Sequence, residues 1–323
     1  MKRFVAWFGL VVMVLFLVAC GGSGKDSGIN ENGIANRILA KQGKNLNITY
    51  VAPQVGNEYW DGVLKGIEEG AQRNGVTLNS VAPGAQFDMV LVLDLLDAAI
   101  AAKVDGIIMG AYDAEAVIPG FQKAKEAGIP VVLVDGDSPA SARAAFFGTS
   151  NRAAGEMAGK ELAKLLNGTG EVAILTGALH GDTAINRMDG FKDGIAGTNI
   201  QIVATENTEY DPLIAVQKAE ADLVAYPNLA GSFGVQVHDG PGMAKAAQEH
   251  GRKIITIGFD DTAEALNLIR QGALHGVLVQ KTGVMGNLGM DCLVQVCQGN
   301  FPAQQVNDTG VTLVTLDNID TYK

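Results

Sequence analysis

GIIMGAYDAEAVIPGFQKAKEAGIPVVLVD, residues 106–135, recurs in outline as GSFGVQVHDGPGMAKAAQEHGRKIITIGFD, residues 231–260, at a constant offset of 125 residues. Each copy reads as a strand, a polar loop, an amphipathic helix, a turn and a short apolar strand ending on an aspartate, Asp135 or Asp260. A parallel strand paired on both sides and covered by helices is apolar nearly throughout. A lone carboxylate at its C-terminal end therefore marks the crevice where such sheets bind ligands. Two of them, one per copy, predict two units that grip a polar ligand between them.

Outward from this repeat, the chain alternates short apolar strands with helical stretches. ITYVAP leads to a helix over 59–74, VTLNSV to a helix over 89–103, and FFGTSN to a helix over 152–167. VAILTG then leads to a helix over 184–196, and IQIVATE to one over 213–225, before the second copy of the repeat. This βαβα rhythm predicts an α/β fold of two Rossmann-like lobes with parallel sheets flanked by helices. The duplication extends further, since Asp61-Gly62-Val63-Leu64-Lys65-Gly66 is echoed by Asp189-Gly190-Phe191-Lys192-Asp193-Gly194. Right-handed crossovers bring all the equivalent loops to the same sheet edge, so the two halves can face each other across a cleft.

With 323 residues, 47% hydrophobic, the chain can bury two substantial cores. Residues 1–19 stand apart: Lys2 and Arg3, an apolar run, then Leu17-Val18-Ala19-Cys20. A charged start, a short apolar run and small residues before a cut describe a secretion signal, too short for a comfortable membrane span. The tetrapeptide resembles the bacterial lipobox, which implies that Cys20 is lipidated and becomes the mature N-terminus. Acyl burial contributes about 0.8 kcal/mol per CH₂, enough for two or three chains to hold a protein on a membrane surface. Residues 20–45 then read as the lipidated Cys and a flexible tether. Losing Lys2 and Arg3 with the signal takes the net charge from −11 to −13. Such a surface repels phosphate backbones and excludes nucleic acid as a partner. Cys292 and Cys297 point about 140° apart on a helix, which disfavours a disulfide and predicts two buried thiols.

From about Asn47 to its end, the chain resembles the type I periplasmic sugar-binding proteins, above all the ribose-binding group that feeds ABC importers. The resemblance rests on VAPQVGNEYWDGVLKG, VDGIIMGAYD, GIPVVLVDGD, FGTSNRAAG, INRMDGF, ITIGFDDT and GVLVQKTGVMG, specific together and in this order. It implies a periplasmic-binding-protein fold with a three-crossover hinge. Lobe 1 would take 46–149 plus 281–309, and lobe 2 would take 150–280 plus 310–323. It also implies a ligand site. Asn57 matches a hydrogen-bonding position, and Tyr59 and Trp60 match an aromatic pair that stacks on a sugar face. Stacking agrees with the apolar C–H groups of such rings, although either aromatic could instead staple its helix to the sheet. Asp135 and Asp260 match carboxylates that accept from sugar hydroxyls. Asp260 could alternatively cap the next helix, since Asp261 and Thr262 follow. Arg187 matches an arginine whose planar fork donates to two oxygens, with a surface salt bridge as its other reading. Gln280 matches a glutamine near a crossover, Tyr210 an aromatic of the second lobe, and His238 an asparagine. His238 is also the counterpart of Asp113 under the 125-residue offset.

One departure stands beside the first aspartate. The ribose-binding group has an arginine directly after it, whereas this chain has Gly136 and then Asp137. Losing a donor and gaining an acceptor argues against ribose itself and towards relatives that bind rhamnose or the sugar-like autoinducer-2. GALHGDT, residues 177–183, lacks the spacing and the lysine of a phosphate loop. His180, His238, His250 and His275 form no metal-binding pair, and there is no GxSxG, so neither metal-assisted nor Ser-His-Asp hydrolysis finds its parts. A repressor with this body would need a basic helix-turn-helix at its start, where this chain has a secretion signal. The expectation is an extracytoplasmic, lipid-anchored monomer, not an enzyme, with no cofactor and no metal. It would capture a small sugar or polyol for an ABC permease and its ATPase, or alternatively present its closed form to a sensory receptor.

Overall fold

The computed structural model describes residues 45–84 and 87–322. The secretion signal, Cys20 and nearly all of the tether read from the sequence lie outside these residues. The first half comprises β1 (Asn47–Val51), α1 (Glu58–Asn74), β2 (Thr77–Val81), α2 (Met89–Ala101), β3 (Gly106–Met109), α3 (Ile118–Glu126), β4 (Val131–Val134) and β5 (Ala145–Gly148). The second half opens with α4 (Asn151–Leu165), β6 (Thr169–Thr176), α5 (Asp182–Gly194), β7 (Asn199–Asn207) and α6 (Pro212–Ala225). It continues with β8 (Leu229–Gly234), α7 (Asp239–Glu249), β9 (Ile255–Phe259), α8 (Ala263–Arg270) and β10 (Gly276–Gln280). Then come α9 (Thr282–Cys297), β11 (Val306–Asp308) and β12 (Val311–Thr315).

Two six-stranded sheets result, ordered β11-β5-β4-β3-β1-β2 and β12-β10-β9-β8-β6-β7. The repeat read from the sequence is thus a repeat of topology: both sheets run 2-1-3-4-5 in their own strand order, each with one further strand beyond the fifth. The first sheet is parallel throughout, and in the second only β12 runs antiparallel, against β10. The chain passes between the sheets three times, near residues 149–150, 281 and 309–310.

Strand alternation sends neighbouring residues to opposite faces, and both faces are buried. Ile107, Met109 and Leu133 pack with Leu96 and Phe121 on one side, while Ile108, Val132 and Val134 pack with Val63, Ile67, Met290 and Leu293 on the other. The helices end earlier than their apolar patterns, at Ala101 and Leu165 in place of 103 and 167. Lys103 and Asn167 adopt φ of 55° and 53°, and the amides of Val104 and Gly168 close back on Ala99 and Ala163, left-handed stops that hydropathy does not report.

Glycines set the spacing that matters for the site. A β-carbon at Gly66 would lie 2.0 Å from the carbonyl oxygen of Gly283, and one at Gly155 would lie 2.0 Å from that of Arg187. Helices α1 and α9 therefore touch backbone to backbone, as α4 and α5 do. The second contact presses the helix carrying Arg187 against the helix that begins at Asn151.

Candidate functional site

Asp135 follows β4, Asp260 follows β9, and both have φ of 64°. Left-handed backbone is unfavourable for a residue with a β-carbon, although Asp tolerates it better than most. Such conformations persist where surrounding bonds enforce them, commonly at binding sites. Here the enforcing bonds are visible. The Asp135 amide donates to Phe147 O at 3.0 Å, and the Asp260 amide donates to Leu278 O at 2.9 Å. Each aspartate is thus tied to the next strand while its chain turns out of the sheet. The capping alternative for Asp260 is not realised, because the N-cap of α8 is Thr262, whose side chain accepts from the Ala265 amide.

Both carboxylates line one cavity of about 590 Å³ between the two sheets, together with Asn57, Tyr59, Trp60, Arg187, His238 and Gln280. The Asn57 carbonyl caps α1, accepting from the amides of Tyr59 at 3.0 Å and Trp60 at 3.4 Å. The cap fixes the first turn and so aims both aromatics at the cleft. Tyr59 donates its hydroxyl to Asp135 at 2.5 Å. Trp60 stands edge-on to Tyr59, with ring centres 5.1 Å apart, and to Tyr112 at 5.4 Å, so three aromatics form one wall.

Arg187 faces this wall from the second sheet and is buried, at 3% exposure, which removes the surface-salt-bridge reading. Its Nε donates to Asn151 at 2.8 Å, its Nη1 donates to Val235 O at 2.8 Å, and its guanidinium carbon lies 3.6 Å from the centre of the Phe259 ring. Gln280 donates to Asp260 at 3.1 Å and accepts from the Thr149 hydroxyl at 2.8 Å. Tyr210 lies apart from the other eight residues. It lines an adjoining chamber of about 730 Å³ that shares Asp135, Asn151 and Thr183 with the first. Asp113 lines that second chamber too, its carboxylate accepting from the amides of Glu115 and Ala116, while its counterpart His238 lines the first.

Charge is tuned by burial. Desolvation raises Asp135, while the Tyr59 bond and Arg187 pull it back down. Desolvation pushes Asp260 up to about 6, against the opposing effects of Arg187 and Gln280. Burial lowers Arg187 in turn, and the carboxylates of Asp260 and Asp135 oppose that shift. Asp239, pushed up to about 6 by burial, accepts from Thr208 at 2.6 Å and from the Gln236 amide at 2.8 Å, steadying the loop that carries Gln236 and His238.

The departure after Asp135 takes a form that its spacing does not reveal. Asp137 is not an unpaired acceptor: the buried Arg143 grips it with two nitrogens, Nη2 at 2.9 Å, and the Ser138 amide donates to it at 2.8 Å. A β-carbon at Gly136 would lie 2.8 Å from Ala111 O, so this loop has no room for a side chain there. Asn151, Gln236 and Thr149 were not singled out from the sequence. Asn151 and Thr149 sit in FGTSN, where their position directly after a strand end was the available signal. Among the described residues, no group of three or more His, Cys, Asp or Glu could hold a metal ion. Cys292 and Cys297 form no disulfide; Cys297 is buried, its thiol donating to Asp105 O at 3.3 Å, whereas Cys292 is only half-buried, short of the two buried thiols expected. No described helix is long and apolar enough to cross a membrane.

Two carboxylate acceptors, a guanidinium fork, a carboxamide and an aromatic wall thus converge on a space the size of a small molecule. They complement a compact ligand with hydroxyls around an apolar face. Residues 48–301 match the family model described as a periplasmic binding protein domain. The chain is similar to the ribose import binding protein RbsB of Bacillus subtilis (strain 168), 24% identical over 256 residues that cover 79% of this chain and 83% of that protein. Among solved structures it resembles GanP, a glucose-galactose binding protein from Geobacillus stearothermophilus. The TM-score is 0.80 at 30% identity, covering 86% of this chain and 99% of that one. An ABC transporter solute binding protein from Burkholderia graminis C4D1M, in complex with D-arabinose, gives 0.79 at 34% identity, covering 87% and 98%.

Proposed function

The chain belongs to the periplasmic binding protein domain family, and from that premise we propose that it captures a monosaccharide or related polyol outside the cytoplasm and delivers it to an ABC importer. The observation that carries this reading is the pair of strand-end aspartates. Both are held at φ 64°, and both open into one cavity with Tyr59, Trp60 and Arg187 between them. The resemblances to ribose-, glucose-galactose- and arabinose-binding proteins support it.

In this reading the two sheets belong to two lobes, 46–149 plus 281–309 and 150–280 plus 310–323, that hinge about the three crossings. Asp135 and Asp260 accept from ligand hydroxyls, Arg187 and Gln280 fix ligand oxygens, and Tyr59 and Trp60 cover the apolar face. Asn57 and His238 complete the rim, and Tyr210 closes over it from the adjoining chamber. Contacts made by both lobes only when closed shift an open-closed equilibrium towards the closed form, which the permease then meets. The protein works as a monomer and by binding alone, without catalysis. Cys20 anchors it to the membrane by lipid, which labelling with palmitate tests directly.

The deciding experiment is a calorimetric screen of pentoses, hexoses, deoxysugars and polyols, followed in parallel by tryptophan emission. Trp7 leaves with the secretion signal, so Trp60 is the sole tryptophan of the mature chain. At least one of these compounds binds and changes the Trp60 emission. A screen with no binding sinks the reading, and binding with silent Trp60 removes that residue from the ligand's face.

A further inference from the structure

The two jaws of the cavity are secured differently, and the second is secured from outside its own sheet. Thr149 lies just past β5, where the chain first leaves the first sheet, and Gln280 ends β10, where it returns. Both side chains are buried, at 6% and 9% exposure. The Thr149 hydroxyl donates to Gln280 Oε1 at 2.8 Å, and Gln280 Nε2 donates to Asp260 Oδ1 at 3.1 Å. A carboxamide accepts at one end and donates at the other. With Oε1 taken by Thr149, the donor end must face Asp260, and a flipped amide would set two acceptors against each other.

The same junction is stitched to the third crossing. The Thr309 amide donates to Gly148 O at 2.8 Å, and the Ser150 amide donates to Asp308 Oδ1 at 2.9 Å. Residues 148–150 are therefore held from both sides, and Thr149 is a fixed point from which Gln280 can be oriented. Asp135 has no such tie, since its side-chain partner is the Tyr59 hydroxyl of its own half.

We propose that Thr149 is a positioning residue of the binding site, orienting Gln280 so that its amide holds the Asp260 carboxylate in place from the crossing segment. This rests on the reading of Asp260 as a ligand-binding carboxylate, and the test is made on sugar-free protein so that it stands or fails apart from the screen. The charged groups that act on Asp260 are Arg187, Asp135 and Asp261. None of them is altered by the variants below.

The experiment is a pH titration of ¹³Cγ-labelled aspartate by NMR, with the Asp260 signal assigned through Asp260→Asn. Its midpoint, near 6 in the parent protein, rises by about half a pH unit or more in Thr149→Val, because the unanchored amide no longer donates steadily to the ionised form. Gln280→Met, which removes the donor while leaving Thr149 intact, gives the same rise. Thr149→Ser restores the hydroxyl and returns the midpoint to that of the parent. A midpoint unmoved in Thr149→Val overturns the proposal, whether or not Gln280→Met moves it. If the buried valine prevents folding, Thr149→Ala takes its place under the same two outcomes. A rise that Thr149→Ser fails to reverse also overturns it, because general loosening of the crossing would then be the cause.

Discussion

Asp135 and Asp260 occupy the same place in two copies of one unit, with the same φ, and differ in the side chain that donates a hydrogen bond to each. The first accepts from Tyr59, in an aromatic wall; the second accepts from Gln280, which is pinned to Thr149. A duplicated backbone thus supplies two equivalent carboxylates, and divergent surroundings make one jaw aromatic and the other polar. A small molecule with an apolar face and a hydroxyl rim is asymmetric in the same way. Two identical jaws would fit it less well than two different ones.

Arg187 is the element the jaws share, because it bears on both carboxylates at once. Arg187→Ala should break the comparison altogether, leaving two desolvated acids without their cation and Asn151 and Val235 O without their donor. The expected loss is about 3–5 kcal/mol of stability in denaturant titration, by analogy with other buried charges stripped of a partner. Binding in the cavity should disappear with it. A folded variant that keeps both properties would place Arg187 outside the site.

The shared strain can be tested in each half separately. Asp135→Gly and Asp260→Gly should each weaken binding by about 2–5 kcal/mol, as expected when a buried hydrogen-bonding charge is truncated. Compared with Asp135→Ala and Asp260→Ala, which lose the same partners, each should gain about 1 kcal/mol of stability, since glycine adopts φ 64° without the steric cost. Parallel calorimetry and thermal unfolding would show both effects. A stability gain at one position alone would mean that the two turns are not strained alike.

The smallest effect is on pH dependence. Hydroxyl groups donate to the ionised carboxylate, so ligand favours the charged Asp260, whose free-protein value stands at about 6. Affinity should therefore be level above pH 7 and fall as the pH drops through that value, by about tenfold for each further unit. Calorimetry at pH 5 and pH 7.5 checks the sign. Affinity that rises on acidification would assign the ligand contact to the protonated acid.

Much of this was readable along the chain. The apolar runs ending in Asp135 and Asp260, the echo of Asp61-Gly62 in Asp189-Gly190, and the GNEYW segment are local patterns. Burial imposes such patterns on a strand or helix wherever it lies. The eight cavity residues named from the sequence meet in one space because all but Arg187, in the second turn of α5, sit at a strand end or a helix start, and parallel α/β topology gathers those ends at one edge. Tyr210 did not join them, since its loop opens onto the neighbouring chamber. Asp137 read as a gained acceptor, until the fold brought Arg143 against it.

The sequence by itself determined two doubly wound units, their order, and the residue types set at the mouth between them. Which partner each side chain takes was decided only by tertiary structure. Asn57 spends its carbonyl on a helix cap, Asp137 is quenched by a buried cation, and Thr149 reaches Gln280 across 131 residues of chain. The physical reason is one of range. Hydropathy and backbone preference act within a few residues and leave a repeating trace in the sequence. A hydrogen bond between distant residues depends on the distance and angle at which two finished sheets meet, which no local spacing encodes.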